Sequence, residues 1–275
     1  MSDTTNSERD DATIVDAETQ RQAVRERYGT IATDESSCCG DSLSCCNDTE
    51  LEGRTEQLGY TADDIDSIAD GANLGLGCGN PNAIASLEAG ETVLDLGSGG
   101  GFDCFLAAEE VGEEGLVIGV DMTPEMIERA RSNVDKNDVT NAEFRLGEIE
   151  HLPVADESVD VIISNCVINL SPDKPQVFRE AYRALRPGGR LAISDVVMTA
   201  PLPAVARNDI ESLTGCIAGA ATIESLQTML ADAGFEEVQI ELKEESDEFI
   251  REWDDSRDLS DYVVSAAIEG RKPLQ

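Results

Sequence analysis

Between Glu91 and Val197 short apolar runs alternate with amphipathic stretches, and this alternation leaves the chain few folds to choose from. Val93 to Leu96 reads as a buried strand, Gly97 to Gly101 as a turn and Phe102 to Glu110 as a helix. Leu116 to Val120 forms a second strand ended by Asp121, and Pro124 opens the helix that continues over Glu125 to Asn137, where the missing N–H costs nothing. Ala142 to Leu146 and Val159 to Ser164 follow as strands, Lys174 to Leu185 as a helix and Arg190 to Val197 as a fifth strand. Strands and helices alternating in this way build a parallel sheet with helices on both faces. A helix over Ile223 to Ala233, closed by Gly234, and strands over Glu237 to Leu242 and Tyr262 to Ile268 are expected to complete the sheet. The expected fold is therefore α/β: a doubly wound, mostly parallel, seven-stranded sheet. Its organisation is read as a cysteine-bearing arm over residues 1–60, containing a short helix from Asp16 to Tyr28 that stops at Gly29, and a single domain over 61–275 with an insertion near 200–221.

Charge narrows the partners. The chain carries 57 acidic and 20 basic residues, a formal net charge of −37 distributed along its whole length. A polyanion such as nucleic acid would be repelled at every approach. With 40% hydrophobic residues the chain is not too polar to fold. An acidic surface of this kind stays hydrated in concentrated salt, where screening removes the self-repulsion, which points to the cytoplasm of a salt-loving organism such as a halophilic archaeon. No apolar run reaches the roughly 18 residues that suggest a membrane span, and residues 1–27 hold no signal-peptide core, so neither membrane nor export is expected. In such a compartment the eight cysteines read as working thiols rather than a disulfide framework.

The strongest local signal is Val93-Leu94-Asp95-Leu96-Gly97-Ser98-Gly99-Gly100-Gly101, where a strand hands over to a helix. Glycines there let the backbone approach a ligand closely, although such turns also serve only to pack helix on sheet. Asp121, at the end of the second strand, is placed to accept hydrogen bonds from both hydroxyls of a ribose. Gly147-Glu148-Ile149 follows the third strand, so three segments gather at the carboxyl ends of strands, where open α/β sheets bind ligands. Over residues 85–240 the chain resembles class I S-adenosylmethionine methyltransferases, which have a Rossmann-like fold. The resemblance implies S-adenosyl-L-methionine as cofactor, with Gly97, Gly99 and Gly101 along its amino-acid moiety, Asp121 at the ribose, Met122 beside the adenine and Glu148 with Ile149 at the adenine edge; Asp95 is counted in the same set. His151, the only histidine, reads as structural.

The acceptor must be argued from the cysteines. Cys166 lies in Ser164-Asn165-Cys166-Val167-Ile168-Asn169-Leu170 beyond the fourth strand, Cys216 in Thr214-Gly215-Cys216-Ile217-Ala218-Gly219-Ala220, and Cys78 in Gly77-Cys78-Gly79-Asn80-Pro81. Buried cysteines often act as small hydrophobes, and Cys104, within an apolar helix, is assigned to the core. Glycine neighbours are expected to put Cys78 and Cys216 on exposed turns. Together GLGCGNP, DLGSGGGFDCF, SNCVINLSPDK and TGCIAGA closely resemble the arsenite methyltransferase family, from about Tyr28 onward. That resemblance implies arsenite and methylarsenite as substrates, Cys166 and Cys216 binding the arsenic, and Cys78 with one arm cysteine, Cys39 or its neighbour Cys38, completing the set; Cys45 and Cys46 have no clear counterpart. It also implies a thiol reductant, thioredoxin or a small thiol, to restore cysteines oxidised in each round. Two other readings stay open at the level of sequence: methylation of a quinone or lipid, which would usually need a base that one histidine does not obviously supply, and a metal-holding Cys-Cys-x5-Cys-Cys module without turnover, whose adjacent pairs fit zinc spacing poorly.

Overall fold

The computed structural model describes residues 16–33, 48–202, 216–243, 246–253 and 258–274. Cys38, Cys39, Cys45 and Cys46, and positions 203–215 of the expected insertion, lie outside the described residues.

Among the described residues the order is α1 (Ala17–Thr33), α2 (Asp48–Gln57), α3 (Ala62–Ser67), α4 (Pro81–Ala85), β1 (Thr92–Leu96), α5 (Phe102–Val111), β2 (Leu116–Asp121), α6 (Pro124–Lys136), β3 (Ala142–Leu146), β4 (Val159–Asn165), a 3-10 turn (Ile168–Leu170), α7 (Lys174–Ala184), β5 (Leu185–Met198), β6 (Ala221–Thr222), α8 (Ile223–Ala233), β7 (Glu236–Leu242), α9 (Asp247–Ile250), a second 3-10 turn (Arg251–Trp253) and β8 (Val263–Arg271). The strands lie side by side as β3-β2-β1-β4-β5-β8-β7. Pairings among β1 to β5 are parallel, and β8 runs antiparallel between β5 and β7. The doubly wound expectation holds, with β6 as an eighth strand of two residues paired to Val197 and Met198, too short to leave a pattern in sequence.

Alternation along each strand sorts the core. Val93, Val117, Val161 and Ile163 face the side covered by α4, α5 and α6, while Leu94, Ile118, Ile162 and Ile193 pack against Val177 and Phe178 of α7 and Leu226 and Leu230 of α8. Both faces are covered, as a central parallel strand requires. Leu96 is in register with Val120 on one side and Ser164 on the other, and Ser164 with Ile193. The strands therefore end together, and the loops after β1, β2 and β4 open at one edge.

One expectation is corrected here. The first helix does not stop at Gly29 but continues to Thr33. It lies against α6, and a Cβ on Gly29 would come 3.3 Å from the Glu125 carboxylate, so the glycine serves close packing rather than termination. Asp16 starts this helix by accepting the backbone N–H groups of Glu18 and Thr19. Gln20 Nε2 donates to the Leu170 carbonyl at 3.0 Å and Arg129 to that of Ala32 at 2.9 Å, which holds α1 across the open edge of the sheet.

Candidate active site

A cleft of about 1180 Å³ opens at the carboxyl ends of β1, β2 and β4, next to the point where the chain reverses its direction of winding between β1 and β4. Its walls include Asp95, Gly97, Gly99, Asp121, Met122 and Ile149 from the glycine loop and the next two strand ends. Gly97 has φ +75, and a Cβ there would lie 2.4 Å from Val167, so only glycine lets this loop pass the turn after β4. At Gly99 a Cβ would meet nothing within 4 Å, which leaves that backbone open to a ligand. Asp121 accepts one backbone N–H on each oxygen, from Gly99 at 3.0 Å and Thr123 at 2.8 Å. Further lone pairs remain on each oxygen for a diol, and burial raises its pKa. Met122, Met126 and Ile149 supply an apolar wall suited to a flat heterocycle. Volume, open backbone, carboxylate and apolar wall all fit S-adenosylmethionine.

Two members of the predicted cofactor set lie elsewhere. Gly101 caps α5 at φ +96, and a Cβ on it would strike Phe105 and Phe144 at 2.9 Å, which makes it a packing residue. Glu148 is turned to Arg21 and Arg25 of α1. Glu150 lines the cleft instead, accepting from Ser171 Oγ at 2.6 Å and Arg21 at 3.3 Å. Asp95 is fully buried, and Cys104 donates to it at 3.2 Å, so the thiol assigned to the core is core with a polar partner. His151 is exposed, and its backbone N–H closes a turn on Glu148.

Cys166 and Cys216 form part of the opposite wall, and Cys78 is buried behind them. A carboxylate oxygen of Asp195 and the sulfurs of Cys78 and Cys166 all lie within 4.8 Å of one another. Cys216 Sγ donates to the Cys166 carbonyl at 2.6 Å. The expected exposure of Cys78 and Cys216 is thus corrected: they are 0% and 3% exposed. Their glycine neighbours permit close packing, not display. A Cβ on Gly219 would sit 2.0 Å from the Asn169 carbonyl oxygen, so glycine lets the 216–220 turn lie directly on the 166–170 turn. Cys166 and Cys216 both hold left-handed backbone, at φ +58 and +68, which for non-glycine residues costs on the order of 1–3 kcal/mol each and persists only where the surroundings enforce it.

Mutual hydrogen bonding and burial favour the protonated form of Cys166, and burial that of Cys78. Hydrogen bonds with Cys216 and Cys78, then burial, push Cys166 well up, and burial raises Cys78. Thiol–thiol hydrogen bonding is the largest cause at Cys166, while at Cys78 desolvation outweighs a hydrogen bond with Cys166 that acts the other way. Burial likewise raises Asp195 to about 6.

Several contributors left little trace in the sequence. Tyr28 of α1 packs among the residues around the thiols, with its hydroxyl pushed well up by burial and by Cys216 and Cys166 beside it. Asn165 accepts the backbone N–H of Cys78 at 3.0 Å and donates to the Gly79 carbonyl at 2.7 Å and Tyr60 Oη at 3.0 Å. The signal that could have marked Asp195 is a carboxylate in the mostly buried second half of the fifth strand.

A doubly wound sheet closed by the antiparallel strand β8 between β5 and β7, with a glycine loop and a buried carboxylate at its switch point, is the architecture of a class I methyltransferase. Consistent with this, the methyltransferase-domain family matches residues 87–234. The chain belongs to the arsenite methyltransferase family: it is 62% identical over 267 residues to the arsenite methyltransferase of Halobacterium salinarum, covering 94% of this chain and 68% of that protein. The human arsenite methyltransferase is 41% identical over 152 residues, 52% of this chain and 40% of that one, so the chain spans under half of the human relative. Among solved structures, the arsenic (III) S-adenosylmethionine methyltransferase of Chlamydomonas reinhardtii superposes with a TM-score of 0.58 at 34% identity, over 81% of this chain and 73% of that chain.

Proposed function

We propose that this chain methylates trivalent arsenic held by the thiols of Cys166 and Cys216, with Cys78 beside them, and that it does so in the cytoplasm as arsenic detoxification. The observation that carries this reading is the meeting of three cysteines from distant segments in and behind the wall of the cleft that fits the cofactor.

Raised thiol pKa values do not obstruct binding. Each arsenic–sulfur bond forms as a thiol replaces a hydroxyl and water departs, so the thiol proton leaves with the oxygen and no free thiolate need accumulate. A pyramidal arsenic so bound keeps one lone pair. When bound, S-adenosylmethionine supplies an electrophilic methyl group for that lone pair. Gly97, Gly99, Asp121, Met122 and Ile149 hold the cofactor, Cys166 and Cys216 fix the arsenic, and α1 shields both from water through Val24 and Tyr28. The chain contributes position rather than a general base.

Methyl transfer leaves arsenic formally pentavalent. Two thiols return two electrons by joining as a disulfide with loss of two protons, and an external dithiol, thioredoxin or a small thiol, then reduces that disulfide. We assign this step to Cys78 with Cys39 or Cys38. Replacing both arm cysteines by serine should leave a single methylation intact and stop repeated turnover; unchanged multiple turnover would refute the assignment. For the activity itself, protein, arsenite, labelled cofactor and a dithiol are incubated and arsenic species separated. Labelled methylarsenic is expected, and its absence under conditions where the cofactor binds overturns the reading.

A further inference from the structure

We propose that Cys78, Cys166 and Asp195 form a site for a thiophilic divalent cation, zinc or cadmium, which excludes arsenite from the same thiols.

Trivalent arsenic is satisfied by soft sulfur donors and has little use for a carboxylate, whereas zinc and its heavier congener take mixed sulfur and oxygen sets. The cluster offers such a set. Its three ligand atoms lie within 4.8 Å of one another, a spread that an ion bonded at about 2.0 Å to oxygen and 2.3 Å to sulfur can bridge with small adjustments. Asp195 is 1% exposed and is oriented by neighbours in the manner of a metal-binding carboxylate. Its Oδ1 accepts the Val196 N–H and Asn169 Nδ2, both at 2.8 Å, and its Oδ2 accepts the Asn169 N–H at 3.2 Å. Lys174, whose Nζ donates to the carbonyls of Asn169 and Ser171, favours the carboxylate form from nearby. Binding displaces one proton from each thiol to solvent, two per cation, with no change of oxidation state. A water from the cleft takes the fourth position.

The carboxylate separates the two guests. Asp195→Asn keeps Oδ1 for the Val196 N–H and Asn169 Nδ2, gives up only the longer 3.2 Å bond from the Asn169 N–H, and removes the anionic ligand, so it should weaken the cation far more than arsenite. The test uses full-length protein with Cys38, Cys39, Cys45 and Cys46 changed to serine, so that only the buried thiols respond, and cadmium chloride as probe. One cadmium per chain is expected, with ultraviolet thiolate absorption equal to two sulfurs, lost in Cys78→Ser and Cys166→Ser. Asp195→Asn should weaken cadmium at least tenfold while arsenite binding moves less than twofold. Unchanged cadmium affinity in that variant overturns the proposal. Should the variant not fold, absorption equal to three or four sulfurs per cadmium in the parent does the same. In single-turnover assays, inhibition of methylation should be competitive with arsenite and not with the cofactor; this arm alone rests on the arsenite reading. Failure to methylate arsenite would therefore sink the function while leaving the cadmium result to stand or fall separately.

Discussion

The backbone N–H of Cys78 donates to Asn165 Oδ1 at 3.0 Å, and Asn165 immediately precedes Cys166. One carboxamide thus fixes the spacing of two thiols that the chain brings from different segments. Through Tyr60 Oη and the Asp103 carboxylate, on which its Nδ2 and the tyrosine hydroxyl both converge, it also ties them to the start of α5.

Asn165→Ala removes this tie without removing a thiol. Loss of buried hydrogen bonds worth about 1 kcal/mol each should lower kcat/KM for arsenite by at least about tenfold. Cofactor affinity, measured by calorimetry, should change much less. Equal losses for both ligands would show that Asn165 supports the whole cleft rather than the thiols.

Gly219→Ala places a methyl group where the Asn169 carbonyl already stands. The 216–220 turn must lift, separating Cys216 from Cys166. Overpacking of this kind costs about 1–3 kcal/mol, read as a lower denaturation midpoint. Arsenite affinity should fall with it, and a variant with unchanged arsenite affinity would contradict the geometry.

Asp103 gives a pH signature. Burial, its largest cause, raises it from 3.8 to about 6, against hydrogen bonds from Tyr60, Asn165 and Asn82 that favour the anion. Below the lower value both states are protonated and nothing is lost. As pH rises toward the folded value the unfolded chain gives up its proton first, so the folded state loses stability, and the loss is complete above it. Urea titrations of Asp103→Asn and the parent should show the difference moving in the variant's favour across that window and constant at higher pH. A difference independent of pH would mean Asp103 is not raised.

Net charge makes a further demand. With −37 spread over the chain, self-repulsion acts across about 10 Å at 0.1 M salt and about 3 Å at 1 M. The thermal midpoint should therefore rise steeply between these concentrations of potassium chloride. A midpoint independent of salt would remove the halophilic reading of the surface.

Much of this was legible from residues alone. Apolar runs and turn chemistry located β1, β2, β4 and β5 because a strand buried on both faces needs nearly continuous apolar residues, and the edge strand β3 was placed by its turn and its spacing from β2. Glycines before α5 and Asp121 after β2 marked the cofactor edge for the same local reason. Family-like segments around Cys78, Cys166 and Cys216 named the thiols. Exposure was misjudged because glycine next to cysteine reads locally as a turn, while its use here is to let one backbone lie against another, as Gly219 does on Asn169.

The order of short-range elements and the identity of the chemically able side chains were determined by the sequence by itself, since period, turn and charge are properties of neighbouring residues. Tertiary structure alone decided that α1 crosses the cleft instead of ending at Gly29, that Glu150 and not Glu148 lines it, and that Asp195 joins Cys78 and Cys166. Those relationships depend on segments far apart in the chain being packed together, and the packing that enforces them is distributed over the whole sheet rather than written at any one position.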